Sequence, residues 1–271
     1  MNRFRNTIIC LLGFVSLTSC SLFQLDNYDA PAETLTGKVV DAKTGEAVLT
    51  DQGSEGIRVR LVETSWEGNV TPLDFNCRPD GTFQNTKLFE ADYNVRVDGP
   101  FVPIVLENAE GTIISDESKN IHLKGSEDLL FEVKPFLNVK FVGAPSVSGG
   151  KITARVNVTR ATSREELLSI LEPTGSYKDA NANVTDIQLF VSYSPSVGFR
   201  ARDTRWSNEI KYVGKAFDEK LGKPVTITSN GTIPSGRKVY IRAAARINYD
   251  TPLGSGTRRW NYSEPVEIDI P

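Results

Sequence analysis

The chain of 271 residues has few of the residues that metal sites and hydrolases need. His122 is the only histidine, and no Gly-x-Ser-x-Gly turn or phosphate-binding glycine loop is present. With 31 basic and 34 acidic residues the net charge is −3, so no excess of basic residues favours nucleic acid. We expect neither catalysis nor binding of nucleic acid. A glycosidase pair of carboxylates from distant strands remains open.

The first twenty residues have the layout of a secretory signal. Arg3 and Arg5 precede an apolar run over 8–17, which is too short to span a bilayer. The following Leu-Thr-Ser-Cys, ending at Cys20, resembles a bacterial lipobox. We expect residues 1–19 to be removed, Cys20 to carry acyl chains such as palmitate, and residues 20–33 to form a lipidated tether to the membrane. The alternative is an ordinary signal peptide with an unrelated cysteine. The residue after the lipidated cysteine also bears on location. An Asp at this position would favour retention in the inner membrane, whereas this chain has Ser21, which favours the outer membrane.

The cysteines limit the remaining chemistry. Cys10 would leave with the signal and Cys20 would be acylated, so Cys77 would have no partner for a disulfide. No Cys-based or His-based metal site of the usual composition is then possible, and we expect neither metal nor cofactor. Because Cys77 leads into the Asp80-Gly81 turn, we expect it to be partly exposed.

Alternating apolar and polar residues recur from Leu35 onward. This period of two predicts half-buried antiparallel strands separated by turns, and Pro135 lies between two such series. We predict an all-β chain of two antiparallel β-sandwich domains in tandem, at 34–135 and 136–271, which limited proteolysis should separate near Pro135–Phe136. Ser163 and Glu166 have capping-box spacing, which predicts one short helix over 164–171 in the second domain.

The residues of the first domain resemble a known sandwich. The stretches 35–46, 56–61 and 80–83 are similar to transthyretin-like domains, also called carboxypeptidase-regulatory-like domains. In those domains a glycine usually precedes the last tyrosine, whereas this chain has Asp92 before Tyr93. The resemblance implies that residues 34–135 form such a sandwich with a different final turn.

The second domain resembles another sandwich family. Residues 238–246 and 262–266 are similar to the last two strands of fibronectin-III or immunoglobulin domains, although Val239 stands where a corner tyrosine is usual. The whole arrangement resembles a family of Bacteroidetes lipoproteins that is often associated with starch-utilisation-type glycan uptake. That resemblance implies an outer-membrane location, with the periplasmic leaflet and the cell surface both open, and it implies polysaccharide and a TonB-dependent transporter complex as partners.

Aromatic residues are the candidate binding groups. Trp66, Trp206 and Trp260 lie in or beside polar, loop-like sequence, and Tyr262 follows Trp260 closely. Sugar rings stack on such aromatic faces while their hydroxyls bind polar side chains. The four residues are therefore candidates for glycan binding, and the alternative is that each tryptophan caps a sandwich core.

Two functions remain open at this point. The first is a non-catalytic, glycan-binding accessory lipoprotein of a polysaccharide uptake system. The second is a structural or adhesive surface protein whose sandwiches act as spacers or assembly modules.

Overall fold

A computed structural model describes residues 30–253 and 258–271. The predicted signal peptide and Cys20 lie outside this range. The first half of the described chain contains nine strands. They are β1 (Glu33–Asp41), β2 (Arg58–Glu63), β3 (Leu73–Asn76), β4 (Thr82–Leu88), β5 (Ala91–Asp98), β6 (Val105–Glu107), β7 (Ile113–Asp116), β8 (Lys119–Leu123) and β9 (Ser126–Val133).

Two sheets of this half enclose one core. Their strand orders are β4-β1-β9 and β3-β2-β5-β8, and β6 and β7 form a separate hairpin. In β5, Tyr93, Val95 and Val97 are buried while Asn94 and Arg96 face outward, as the alternation predicts. β1 pairs with β9 in parallel, so the expectation of purely antiparallel pairing fails at this pair.

The second half contains a further nine strands and, within the described residues, one α-helix. They are β10 (Leu137–Phe141), β11 (Ser146–Ser148), β12 (Lys151–Arg160), α1 (Arg164–Leu171), β13 (Val184–Ser192), β14 (Asn208–Lys211), β15 (Val225–Thr228), β16 (Arg237–Ile247), β17 (Asn261–Tyr262) and β18 (Val266–Ile270).

The second half also packs two sheets around a core. In one sheet β12 pairs with β10, β11 and β15; in the other the order is β14-β13-β16-β17, with β18 also pairing with β16. The helix α1 begins after Ser163, whose Oγ accepts a bond of 3.1 Å from the backbone N–H of Glu166, and it buries Leu167 and Leu171. The predictions of an all-β chain and of this one short helix are confirmed.

The seam between the halves is buried. Phe136 is 1% exposed, its backbone N–H donates to the carbonyl oxygen of Pro100 at 3.0 Å, and Thr162 Oγ1 donates to the carbonyl oxygen of Pro135 at 2.7 Å. Val102 and Leu106 of the first half pack into the core of the second. A protease needs an accessible and mobile backbone, so this burial argues against a cut at Pro135–Phe136, and the division into two domains stays a prediction.

The first half has one end at this seam and one end away from it. At the far end, Glu33 at the start of β1 lies opposite Leu88, and Ala91 of β5 lies opposite Leu123. The loop over 64–72, which joins β2 to β3, also lies here. We call this region, which comprises residues 63–73, 88–92 and 123–126, the distal end.

Candidate functional site

Trp206 does not offer a surface to a ligand. It is 4% exposed and belongs to the core of the second half. The Tyr193 ring meets it edge-on at 5.2 Å, and the Arg205 guanidinium lies 4.7 Å from its ring centroid. The expectation of an exposed Trp206 is wrong.

Trp260 and Tyr262 are also buried, with 1% and 6% of their surfaces exposed. They form a small cluster with Phe190, whose ring centroid is 5.9 Å from that of Trp260 and 6.0 Å from that of Tyr262. The Tyr262 hydroxyl lies 3.3 Å from Asp51 of the first half, and burial raises the pKa of this phenol. For these two residues too the expected exposure is wrong.

Arginines cover the aromatic faces that a sugar would need. The Arg246 guanidinium lies 4.1 Å from the Trp260 ring centroid, and that of Arg242 lies 4.5 Å from the Tyr262 ring centroid. In the sequence, Trp260 lies next to arginines, which suits a binding loop. Arginines equally suit a buried tryptophan, with which they form a cation–π contact. Trp260 and Tyr262 are therefore buried packing residues and present no open face to a sugar.

Trp66 is the exception among the four candidates, with 60% of its surface exposed. Its loop is bonded to the start of β5 through both the backbone N–H and the backbone carbonyl oxygen of Asp92. The Thr64 N–H donates to the Asp92 carbonyl oxygen at 2.8 Å, and the Asp92 N–H donates to Ser65 Oγ at 2.9 Å. The loop is thus fixed one residue before Trp66, so a ligand would order little additional backbone.

A second exposed aromatic residue, Phe89, lies beside this anchoring point. It is 48% exposed, precedes Asp92 by three residues and accepts a bond of 3.2 Å from the Tyr93 hydroxyl at its carbonyl oxygen. The polar residue His122 lies on β8, the edge strand of the same sheet as β5, directly opposite Asp92. His122 Nδ1 lies 2.8 Å from Asp92 Oδ1.

Charged groups extend the same surface. His122 Nε2 lies 3.8 Å from Glu90, and Lys124 Nζ lies 2.8 Å from a carboxylate oxygen of Glu90. The hydrogen bond that Lys124 donates to Glu90 is the main cause that raises the pKa of Lys124, which keeps this amine cationic. We name the exposed residues Trp66, Phe89, Asp92 and His122 the Trp66 surface.

Sequence reasoning missed Phe89, Asp92 and His122. The sequence does carry one signal for this site. Asp92 stands where related domains have a glycine, and Phe89 is only three residues before it. The pairing of β5 with β8, which places His122 directly opposite Asp92, is set by tertiary structure.

The Trp66 surface can bind through one aromatic face and several hydrogen-bond donors and acceptors. Within residues 30–253 and 258–271, no group of three or more His, Cys, Asp or Glu side chains could hold a metal ion. No helix among those residues is long and apolar enough to cross a bilayer.

The fold and this surface can now be compared with known proteins. A crystal structure of a DUF3823 family protein from Bacteroides uniformis shares 62% sequence identity with this chain, at a TM-score of 0.87. It matches 89% of this chain and 100% of its own. The chain belongs to the DUF3823 family. The bacterial genus agrees with the predicted resemblance to Bacteroidetes proteins, while the transthyretin-like and fibronectin-III-like descriptions of the two halves remain predictions.

More distant DUF3823 relatives share the fold. A family member from Parabacteroides merdae is 20% identical, with a TM-score of 0.58, and covers 89% of this chain and 100% of its own. A Bacteroides uniformis structure named a putative carbohydrate binding protein is also 20% identical, with a TM-score of 0.61 and the same coverage. No family model and no curated protein matches the chain.

Proposed function

We propose that this DUF3823 protein is an outer-membrane lipoprotein that binds polysaccharide without cleaving it, as an accessory protein of a glycan uptake system with a TonB-dependent transporter. The observation that carries the proposal is Trp66, which is 60% exposed on a loop fixed by Ser65 and Asp92. An exposed indole offers a flat apolar face on which a sugar ring can stack. The neighbour with a carbohydrate-binding name shows only the fold.

The position of the Trp66 surface suits a membrane-anchored receptor. β1 begins at this distal end, so the tether that leads back to Cys20 would leave from here. The surface would then face the membrane, close to a transporter in the same bilayer. Many anchored copies would hold a long polymer together, so weak binding at each site would suffice.

Affinity gel electrophoresis tests the proposal. The purified protein should be retarded in a gel that contains the bound polysaccharide, and Trp66→Ala should migrate freely without a lower melting temperature. Trp66→Phe should keep part of the retardation, because a flat ring remains. Tyr193→Ala is the control, since Tyr193 is an exposed aromatic residue of the second half. If no polysaccharide retards the wild type, the spacer or adhesin function replaces this one.

Lipidation needs its own test. Cells that are fed an alkynyl fatty acid should label the wild type and leave Cys20→Ala unlabelled. A labelled Cys20→Ala variant would contradict the anchor, whatever the gel shows.

A further inference from the structure

A groove of about 510 Å³ runs along the contact between the halves. Its first wall is the outer face of β2 and β5, with Arg60 and Arg96. Its second wall comes from the second half, with Ser176 and Tyr249. The groove is distinct from the Trp66 surface, with which it shares no residue.

The two arginines differ in their partners. Arg60 is bidentate to Asp74, with Nε–Oδ1 and Nη2–Oδ2 distances of 2.7 Å each. Arg96 lies directly opposite Arg60 in the β2–β5 register. Within the described part of the chain it has no carboxylate within 4.0 Å, and its Nε is buried without a hydrogen-bond partner.

This arrangement favours a bound anion. Like charges directly opposite each other on two strands repel. An unpartnered buried N–H of a charged group costs about 1–3 kcal/mol or more. An oxyanion would offset both costs, because the guanidinium fork can donate two hydrogen bonds to two oxygens of a carboxylate or a sulfate group. Asp74 cannot take this role, since both of its oxygens already accept from Arg60.

The remaining lining limits the ligand to one anionic group. Glu107 and Asp250 also line the groove, and Asp98 is held by Arg259. These carboxylates would repel a dense polyanion. Together with Asn108 and Ser176 they can instead bind neutral hydroxyls, which donate to carboxylates and accept from amides.

We propose that the groove binds a sugar residue that carries one carboxylate or sulfate group, with Arg96 holding the anionic group and the other lining residues binding ring hydroxyls. The inference rests on the proposed function only in taking the anion to be part of a saccharide. The buried contact between the halves holds the two walls of the groove in place, so little reorganisation would accompany binding.

Isothermal titration calorimetry of the purified protein tests the site with matched ligands. Glucuronate should bind, glucose should bind at least about tenfold more weakly for want of the charged partner, and acetate and inorganic sulfate should bind more weakly than glucuronate. If acetate or sulfate binds as tightly as glucuronate, the site takes a free oxyanion and the saccharide part is overturned.

Two variants place the ligand. Arg96→Gln should weaken glucuronate binding about tenfold or more and should not lower the melting temperature, because an unpaired charge is removed. Ser176→Trp should block the groove without changing Arg96. Arg58→Gln is the matched control, since it removes the same charge from the same sheet but outside the groove lining. Unchanged binding in both groove variants, or an equal loss in Arg58→Gln, overturns the site.

The two proposals fail separately. If glucuronate binds through Arg96 while no polysaccharide retards the protein, the groove stands and the uptake function falls. If Trp66-dependent retardation persists and glucuronate does not bind, the groove inference alone is wrong.

Discussion

Arg259 and Asp98 form an ion pair across the two halves of the chain, with Arg259 Nη2 3.0 Å from Asp98 Oδ2 and side chains 0% and 4% exposed. Thr251 completes the cluster by donating to Asp98 at 2.8 Å. Nearby, Arg242 Nη1 donates to the carbonyl oxygen of Thr50 at 2.7 Å. Asp98 at the end of β5 thus contacts loop residues of the second half, and Arg242 of β16 contacts a loop of the first half, so we expect the halves to unfold together.

Removing one member of the pair should be costly. Asp98→Ala leaves Arg259 buried without its partner, which typically costs about 3–5 kcal/mol. The exposed pair of Asp74 and Arg60 provides the control, because Asp74→Ala should cost about 1 kcal/mol or less. Urea unfolding measures both. If both variants lose the same small amount of unfolding free energy, the junction is open to water. Limited proteolysis gives a second check, because wild-type fragments that end near residue 135 would also show an open junction.

Trp206 and Trp260 should act on stability. Truncating either to alanine opens a cavity in a packed cluster and should cost about 3–5 kcal/mol. Trp66→Ala should change the free energy of unfolding by about 0.5 kcal/mol or less, because Trp66 is exposed. Thermal melts of the three variants check this. Similar melting temperatures for all three would place the two buried tryptophans on the surface.

Cys77 should be unreactive in the folded protein. It is 2% exposed, so the expected partial exposure is wrong, and burial raises the pKa of its thiol to about 12. In a chain that starts at Ser21, where it is the only cysteine, a thiol reagent at pH 8 should label it only after unfolding. Cys77→Ser should cost about 1–3 kcal/mol, since a hydroxyl would replace the thiol in the core. Rapid labelling of the native protein would contradict the buried position.

Acid should weaken the contribution of Asp74. The hydrogen bonds from Arg60 lower the pKa of this carboxyl, against the opposing effect of desolvation. Its stabilising effect is therefore present above the unfolded pKa of about 3.9 and is lost as the pH falls through the folded pKa. The difference in melting temperature between wild type and Asp74→Asn should be small at pH 7, because the pair is partly exposed, and should vanish near pH 2. A difference that does not depend on pH would contradict the ion pair.

Sequence alone predicts much of the fold but few of its pairings. Alternation shows which side chains of a strand face a core, and the capping-box spacing of Ser163 and Glu166 marks the helix, so these elements are predicted correctly. It does not fix the partner strand, so the parallel pairing of β1 with β9 is missed.

Burial of a residue by distant parts of the chain is not encoded in its local sequence. Cys77 follows a strand and precedes a turn, yet its N–H donates to the carbonyl oxygen of Ile57 and its thiol lies in the first core. Trp260 has polar neighbours in sequence, yet Arg246 covers its face. Among the four candidate aromatics, Trp66 alone keeps the exposure that its sequence indicates, because no element within residues 30–253 and 258–271 covers it.

Quenching of tryptophan fluorescence by acrylamide tests most directly whether a glycan lies on Trp66. The chain has three tryptophans, and Trp206 and Trp260 are buried, so the quenchable emission reports on Trp66. Adding the polysaccharide that retards the protein should protect this emission from quenching. The Trp66→Phe variant should lack the quenchable emission even without polysaccharide. We expect the protection of Trp66 emission from acrylamide to saturate at the same polysaccharide concentration as binding. Binding of the polysaccharide with unchanged quenching would place the glycan elsewhere and would contradict the proposed site.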